Sequence, residues 1–260
     1  MEEKNEVVQF QSAEIVRDAQ YESQVDIAKR YPRNLSRILQ NSIAIATMDI
    51  ETASSCNYSL PRAGKSISGE SVHLARIIVQ QYGNVRVESK VTHSDATQVH
   101  AEAVCFDLET NVAVKVTTSK SIVGKYGRYN EDMIVTTGKA AASIAYRNAV
   151  FAVVPKSIVT KVYKAALQLI TGDISDETKL IKQRKAALDY FLNDWTVTES
   201  EILTALGIKS TNQIKAEQLV ILRGMLQSLK DGEFSVEEMF SRIDEKATKD
   251  PKVNKPNDAK

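Results

Sequence analysis

Two cysteines, three histidines and one tryptophan in 260 residues leave few of the groups from which metal sites and nucleophilic centres are built. Cys56 and Cys105 form no Cys-x-x-Cys pair, so they announce neither a zinc site nor a disulfide framework. Buried free thiols are the expectation. His73, His93 and His100 do not fall at a metal-ligand spacing; His93 and His100 lie on neighbouring predicted strands as solvent-facing residues. No apolar run approaches the roughly 20 residues that span a bilayer. Met1 to Phe10 is acidic and polar where a signal peptide is basic and then apolar, which places the expected site of action in the cytoplasm with no membrane partner. The carboxylates Asp107 and Glu109 on a turn, and Glu131 and Asp132 on a loop, have no histidine or metal-ligand pattern beside them. No catalytic residue, metal or cofactor is therefore assigned, and an enzyme is not expected.

What the chain does have is unevenly placed charge. Lysine and arginine number 34 against 33 acids, a net charge of +1. Between Val112 and Lys164, however, Lys115, Lys120, Lys125, Arg128, Lys139, Arg147, Lys156, Lys161 and Lys164 face only Glu131 and Asp132. Such a concentration attracts a polyanion. Its centre, Gly124-Lys125-Tyr126-Gly127-Arg128-Tyr129, interleaves glycine, cation and aromatic ring. Glycines admit a close approach, cations pair with phosphates and tyrosines offer flat faces to bases.

Pattern along the chain predicts a mixed α+β fold, in which an antiparallel meander packs with helices and a small all-helical region follows. Residues 1–20 have no sustained apolar period and read as a flexible arm. Helical spacing from Tyr21 to Gln40 is interrupted at Pro32, with Arg30, Arg33 and Arg37 on one solvated face. Ile43 to Leu60 reads as a short helix and a mobile loop. Gly64-Lys65-Ser66 invites a P-loop reading, but that motif needs glycine where Ser59 stands, after an apolar strand that is missing here. Nucleotide hydrolysis is set aside, and Arg62 and Lys65 remain as cations beside the main patch.

Ser68 or Ser71 caps a helix that Gly83 ends after Tyr82. Val85 to Val91, Thr97 to Phe106 and Val112 to Ile122 alternate as strands, and the short turns between them require antiparallel pairing. In the third, Val112, Val114 and Val116 share one face and Lys115 takes the other, while Lys120 near the strand end joins the loop cations. A further short strand and an alanine-rich helix from about Lys139 to Phe151 follow, with Arg147 projecting near its end; Pro155 breaks it. After a linker at Gly172 to Asp176, the segments from Leu188 to Phe240 read as short amphipathic helices. The Lys/Asp/Pro/Asn composition of 244–260 reads as a disordered tail.

Helix, three strands, basic loop and small-residue helix in this order resemble the core of the phage single-strand annealing proteins. That superfamily includes Red-beta, RecT and Erf, together with the eukaryotic annealing mediator of the same core. The resemblance covers about Ser66 to Lys164 and is carried by Ser68-Gly69-Glu70-Ser71-Val72-His73-Leu74-Ala75, the three strands, and Gly138-Lys139-Ala140-Ala141-Ala142-Ser143-Ile144-Ala145-Tyr146-Arg147-Asn148-Ala149. The tail is similar to a helical module of phage recombination proteins at Leu206-Gly207, Leu222-Arg223-Gly224 and Lys230-Asp231-Gly232-Glu233.

The resemblance implies ATP-independent binding of single-stranded DNA and annealing of complementary strands in phage homologous recombination, inside a bacterial host cell. It also implies homo-oligomeric rings or helical filaments. Residues 21–170 would form the DNA-binding and oligomerisation core, and 177–243 a partner-binding domain for the host single-stranded DNA-binding protein or a phage exonuclease. The residues expected at the strand are Arg62, Lys65, Lys115, Lys120, Lys125, Tyr126, Arg128, Tyr129, Lys139, Arg147 and Lys156. The competing expectation is a non-catalytic oligomeric phage scaffold or adaptor whose basic segment pairs with acidic protein surfaces.

Overall fold

A computed structural model describes residues 19–62, 65–124, 127–172 and 177–240. The expected terminal arm and tail therefore fall almost wholly outside the described residues. Helix α1 (Ala19–Arg30) stops before Pro32, and α2 (Leu35–Ala46) restarts where the Asn34 side chain accepts the Arg37 backbone N–H at 3.0 Å. Helix α3 (Ile50–Ser55), capped by Asp49, leads into β1 (Asn57–Arg62), which pairs antiparallel with β2 (Lys65–Glu70). The expected mobile loop is thus half of a hairpin. Gly64 lies outside the described residues, but Lys65 and Ser66 open a strand, whereas the Lys-Ser of a P-loop opens a helix.

Helix α4 (Val72–Tyr82) has its amino end capped by the Ser71 hydroxyl and its carboxyl end at Gly83, whose φ of +62° suits glycine. Strands β3 (Val85–Ser94), β4 (Gln98–Asp107) and β5 (Val112–Ser121) form the expected antiparallel meander, in spatial order β3-β4-β5. Val99, Ala101, Ala103 and Cys105 of β4 are buried on the side covered by α5 (Glu131–Val153). Gly138 lets the helix come so near that a Cβ there would lie 3.1 Å from Val91 Cγ2. The short strand expected before this helix is helical: Asn130 accepts the Met133 N–H at 2.9 Å, and Glu131 and Asp132 complement the positive amino end. A small hairpin, β6 (Val123–Gly124) with β7 (Gly127–Arg128), links sheet to helix. Both cysteines are free and buried, and burial pushes their thiols up to about 12, so they stay protonated near neutrality.

The remaining helices are α6 (Lys156–Gly172), α7 (Glu177–Asp194), α8 (Glu199–Leu206), α9 (Ala216–Lys230) and α10 (Val236–Met239). Those after α6 were expected to form a separate domain, 177–243. Instead Phe191, Ile202, Leu219, Leu222 and Met225 share one buried cluster with Leu74, Ile78, Ala145, Val159 and Val162. Helix α9 lies directly on β1: the Asn57 amide donates to Val220 O at 3.1 Å, and the Ser228 hydroxyl to Ser59 O at 3.3 Å. A Cβ on Gly224 would fall 2.5 Å from both Asn57 Nδ2 and Ser59 Oγ. Gly224→Ala is therefore expected to cost about 1–3 kcal/mol by overpacking, read as a lowered urea midpoint; an unchanged midpoint would contradict this packing. No described helix is long and apolar enough to cross a membrane.

Arg33 departs from the expected solvated face. Its side chain is 7% exposed and forks onto Asp107 Oδ1 and Oδ2 at 2.6 and 2.7 Å. It also donates to Glu109 at 2.9 Å and to Asn84 O at 3.1 Å, and lies 3.9 Å over the Tyr82 ring. The guanidinium staples the amino-terminal helices to the β4–β5 turn.

Candidate nucleic-acid interface

Strict alternation in β5 turns Ala113, Lys115, Thr117, Ser119 and Ser121 outward, all exposed, on the side away from α5. Across the register, Thr117 pairs with Glu102 and Ser119 with His100. Lys115 Nζ lies 2.6 Å from Glu102, and Lys90 Nζ 3.6 Å from the same carboxylate. The Lys115 hydrogen bond, aided by both ammonium charges, holds Glu102 below the usual carboxylate range in spite of its burial. The outward sheet face is thus a row of hydroxyls and amines with an acid at its centre. His93 and His100 stack at 4.3 Å on this face, and His100 lies 3.1 Å from Asp95.

The β6–β7 hairpin extends the face at one end. Arg128 Nη1 donates to Asp95 O at 2.7 Å and Ala96 O at 3.0 Å, tying the hairpin to the β3–β4 turn. Tyr129 is half-buried against Gly124, where a Cβ would lie 2.6 Å from its ring, and burial raises its hydroxyl. Lys125 and Tyr126 lie outside the described residues. Lys139 is exposed on α5 nearby. Arg62 and Lys65 face each other in backbone register at the far end of the β1–β2 hairpin. Lys156 is 67% exposed but sits 2.5 Å from Glu70. It follows α5, whose 23 residues span about 34 Å, so it stands at the opposite end from Arg128. Among the described residues, Lys115, Lys120, Arg128, Lys139, Arg147 and Lys156 do not converge into one patch.

Two expected contacts are turned inward. Lys120 pairs in register with buried Val99 and therefore shares the inner face. Its side chain is 13% exposed, donates to Glu233 O, lies 3.9 Å from Glu238 and sits 5.0 Å over the Phe234 ring. Arg147, expected to project, is 9% exposed. Its Nη1 reaches both Glu233 oxygens at 3.1 and 3.2 Å, and its guanidinium stacks 4.5 Å over Tyr58. Burial pushes the Glu233 carboxyl up, opposed by Arg147 and Lys120 and reinforced by Asp231, and pushes the Lys120 ammonium down, opposed by Glu238 and Glu233. In this structure Lys120 and Arg147 hold the carboxyl-terminal segment and cannot meet a strand from the outside.

Sequence reasoning used Lys230-Asp231-Gly232-Glu233 of that segment only for its likeness to a helical module and passed over its charge. Asp231 meets His73 Nε2 at 2.8 Å, and Gly232, at φ +66°, turns the chain across α5 toward α10. Along the segment runs a groove of about 560 Å3, partly open to solvent, whose lining includes Lys120, Tyr129, Thr136, Lys139, Trp195 and Phe234. The buried Trp195 Nε1–H has no hydrogen-bond partner among the described residues. A signal was present: Asp231, Glu233, Glu237 and Glu238 place four acids within eight residues. Compared with known proteins, the chain matches no family model, no curated protein and no solved structure.

Proposed function

We propose that this protein binds single-stranded DNA and anneals complementary strands without ATP, in homologous recombination of the phage type. The observation that carries the reading is the exposed row Lys115, Thr117, Ser119 and Ser121 on the sheet face opposite α5, leading to the hairpin with Arg128 and to Lys139. Hydroxyls and cations along an extended strand suit a sugar-phosphate backbone and leave bases free to test pairing, with little sequence discrimination. Repetition of that row in a ring or filament of subunits would raise avidity along one strand. Exposed Ile181 and Leu192, about three turns apart on one side of α7, offer a surface to a host single-stranded DNA-binding protein or an exonuclease.

The test is anisotropy of a labelled oligothymidylate across a salt series. Arg128→Ala with Lys139→Ala should weaken binding about tenfold or more and flatten the log–log salt slope by about 1.4, two phosphate contacts at roughly 0.7 each. An unchanged slope would remove both residues from the interface. Arg147 does not belong in such a variant, because removing it leaves Glu233 buried and unpaired.

One observation favours an adaptor instead. Lys115, Lys120, Arg147 and Lys156 each meet an acid of their own chain, so much of the excess charge is matched internally. An adaptor predicts no salt-sensitive binding to single strands, and the same titration decides between them.

A further inference from the structure

We propose that the acidic segment 231–238 is an intramolecular stand-in for a nucleic-acid backbone, occupying Lys120 and Arg147 until a single strand displaces it. This inference rests on the function proposed above and concerns its regulation. The segment crosses α5 from beside the basic hairpin, at Lys120, toward Arg147 farther along the helix, and its acids satisfy these two cations, which do not reach the surface. The exchange is chemically matched. A phosphodiester presents one negative charge and two acceptor oxygens, as the Glu233 carboxylate does to Arg147, so substitution leaves neither cation buried without a partner.

The seating is also imperfect. A groove of about 560 Å3, partly open to solvent, runs along the segment, and the Nε1–H of Trp195, one of its lining residues, is buried without a partner among the described residues. A fully satisfied structural clamp leaves no such orphaned buried donor. Both ends are anchored: Asp231 by His73 and Gln227, and Phe240 by its edge contact with Phe191 at 5.9 Å. Displacement therefore lifts the middle of the segment, from Gly232 to Glu238, while α9 stays in place. Release returns Glu233 to water, where its charge is no longer penalised by burial.

The consequence is attenuated affinity, since the apparent constant is reduced by the fraction of chains whose segment is lifted. The full chain is compared with Glu233→Gln and with the double variant Glu237→Gln, Glu238→Gln, by oligothymidylate anisotropy and by amide hydrogen exchange of 231–240 with and without the oligonucleotide. The expected result is binding tightened about three- to tenfold in both variants, with faster exchange at Gly232 to Glu238 when the oligonucleotide is bound and unchanged exchange in α9. Wild-type binding with equal affinity in the variants and unmoved exchange would overturn the proposal and leave the binding function standing. No binding by any of the three chains would overturn both. Should Glu233→Gln fail to fold, the double variant decides, because it keeps the Arg147–Glu233 pair.

Discussion

Ending the chain at Gly172 is expected to abolish cooperative folding of the remainder instead of releasing an annealing core. The lost helices carry Phe191, Ile202, Leu219, Leu222 and Met225, all fully buried in the cluster that also holds Leu74, Ile78 and Val159. Their removal uncovers the opposing apolar faces. Exposing even about 400 Å2 of them costs about 10 kcal/mol, comparable to the whole stability of an ordinary domain. The truncation also strips α9 from β1, leaving buried Asn57 and Ser59 without Val220 and Ser228, and leaves Arg147 without Glu233. Urea unfolding followed by circular dichroism should show no sigmoidal transition. A truncated chain with a steep two-state transition would show that the boundary near Gly172 divides two independent units.

The second large effect is expected at Arg33. Arg33→Ala removes one partner of a buried ion pair and leaves Asp107, 4% exposed at its side chain, without its bidentate donor. Breaking such a pair costs about 3–5 kcal/mol, readable as a lowered urea midpoint at neutral pH. The same pair fixes an acid dependence. Burial pushes the Asp107 carboxyl up, but the Arg33 hydrogen bonds and charge and the Glu109 backbone N–H outweigh it and hold the carboxyl below its ordinary value. Stability from a depressed carboxyl is fully present above the unfolded value of about 3.9 and is lost as pH falls through the folded one. Wild type should therefore lose this contribution in acid, and Arg33→Ala should show less of that loss. Equal stabilities at neutral pH would contradict the staple.

Elements with strict periodicity were legible in the sequence. The alternation of Val99, Ala101, Ala103 and Cys105 marked the inner face of β4 and Gly83 the carboxyl end of α4, while its amino end was narrowed to Ser68 or Ser71, of which Ser71 is the cap. Two residues that the sequence reading misplaced, Lys120 and Arg147, were decided by the same periodicity. Lys120 is an even number of residues from Val112, Val114 and Val116 and so shares their inward face, against its charge. Arg147 stands seven residues after buried Ala140, two helical turns along the same side. Charge suggested exposure in both cases, and the geometry prevailed because the carboxyl-terminal segment supplies Glu233 and Glu238 to meet them.

Other features had no local signal. β1 contains Ser59 and Pro61, poor strand formers, and is a strand because β2 pairs with it and α9 covers it. The union of the tail with the core is set by contacts across more than a hundred residues, such as Asn57 with Val220. An amphipathic period shows that each tail helix has an apolar side, and tertiary packing alone decides what that side meets.

The central claim is that this chain holds single strands and lets them pair, and strand annealing without ATP tests it most directly. Two complementary labelled oligonucleotides are mixed with the full chain at increasing salt, with no nucleotide triphosphate present. The expected result is annealing faster than the spontaneous rate, fading as salt rises and weakened in the Arg128→Ala, Lys139→Ala variant. Annealing at the spontaneous rate, with no salt-sensitive binding of either strand, would contradict the claim and leave the adaptor reading in its place.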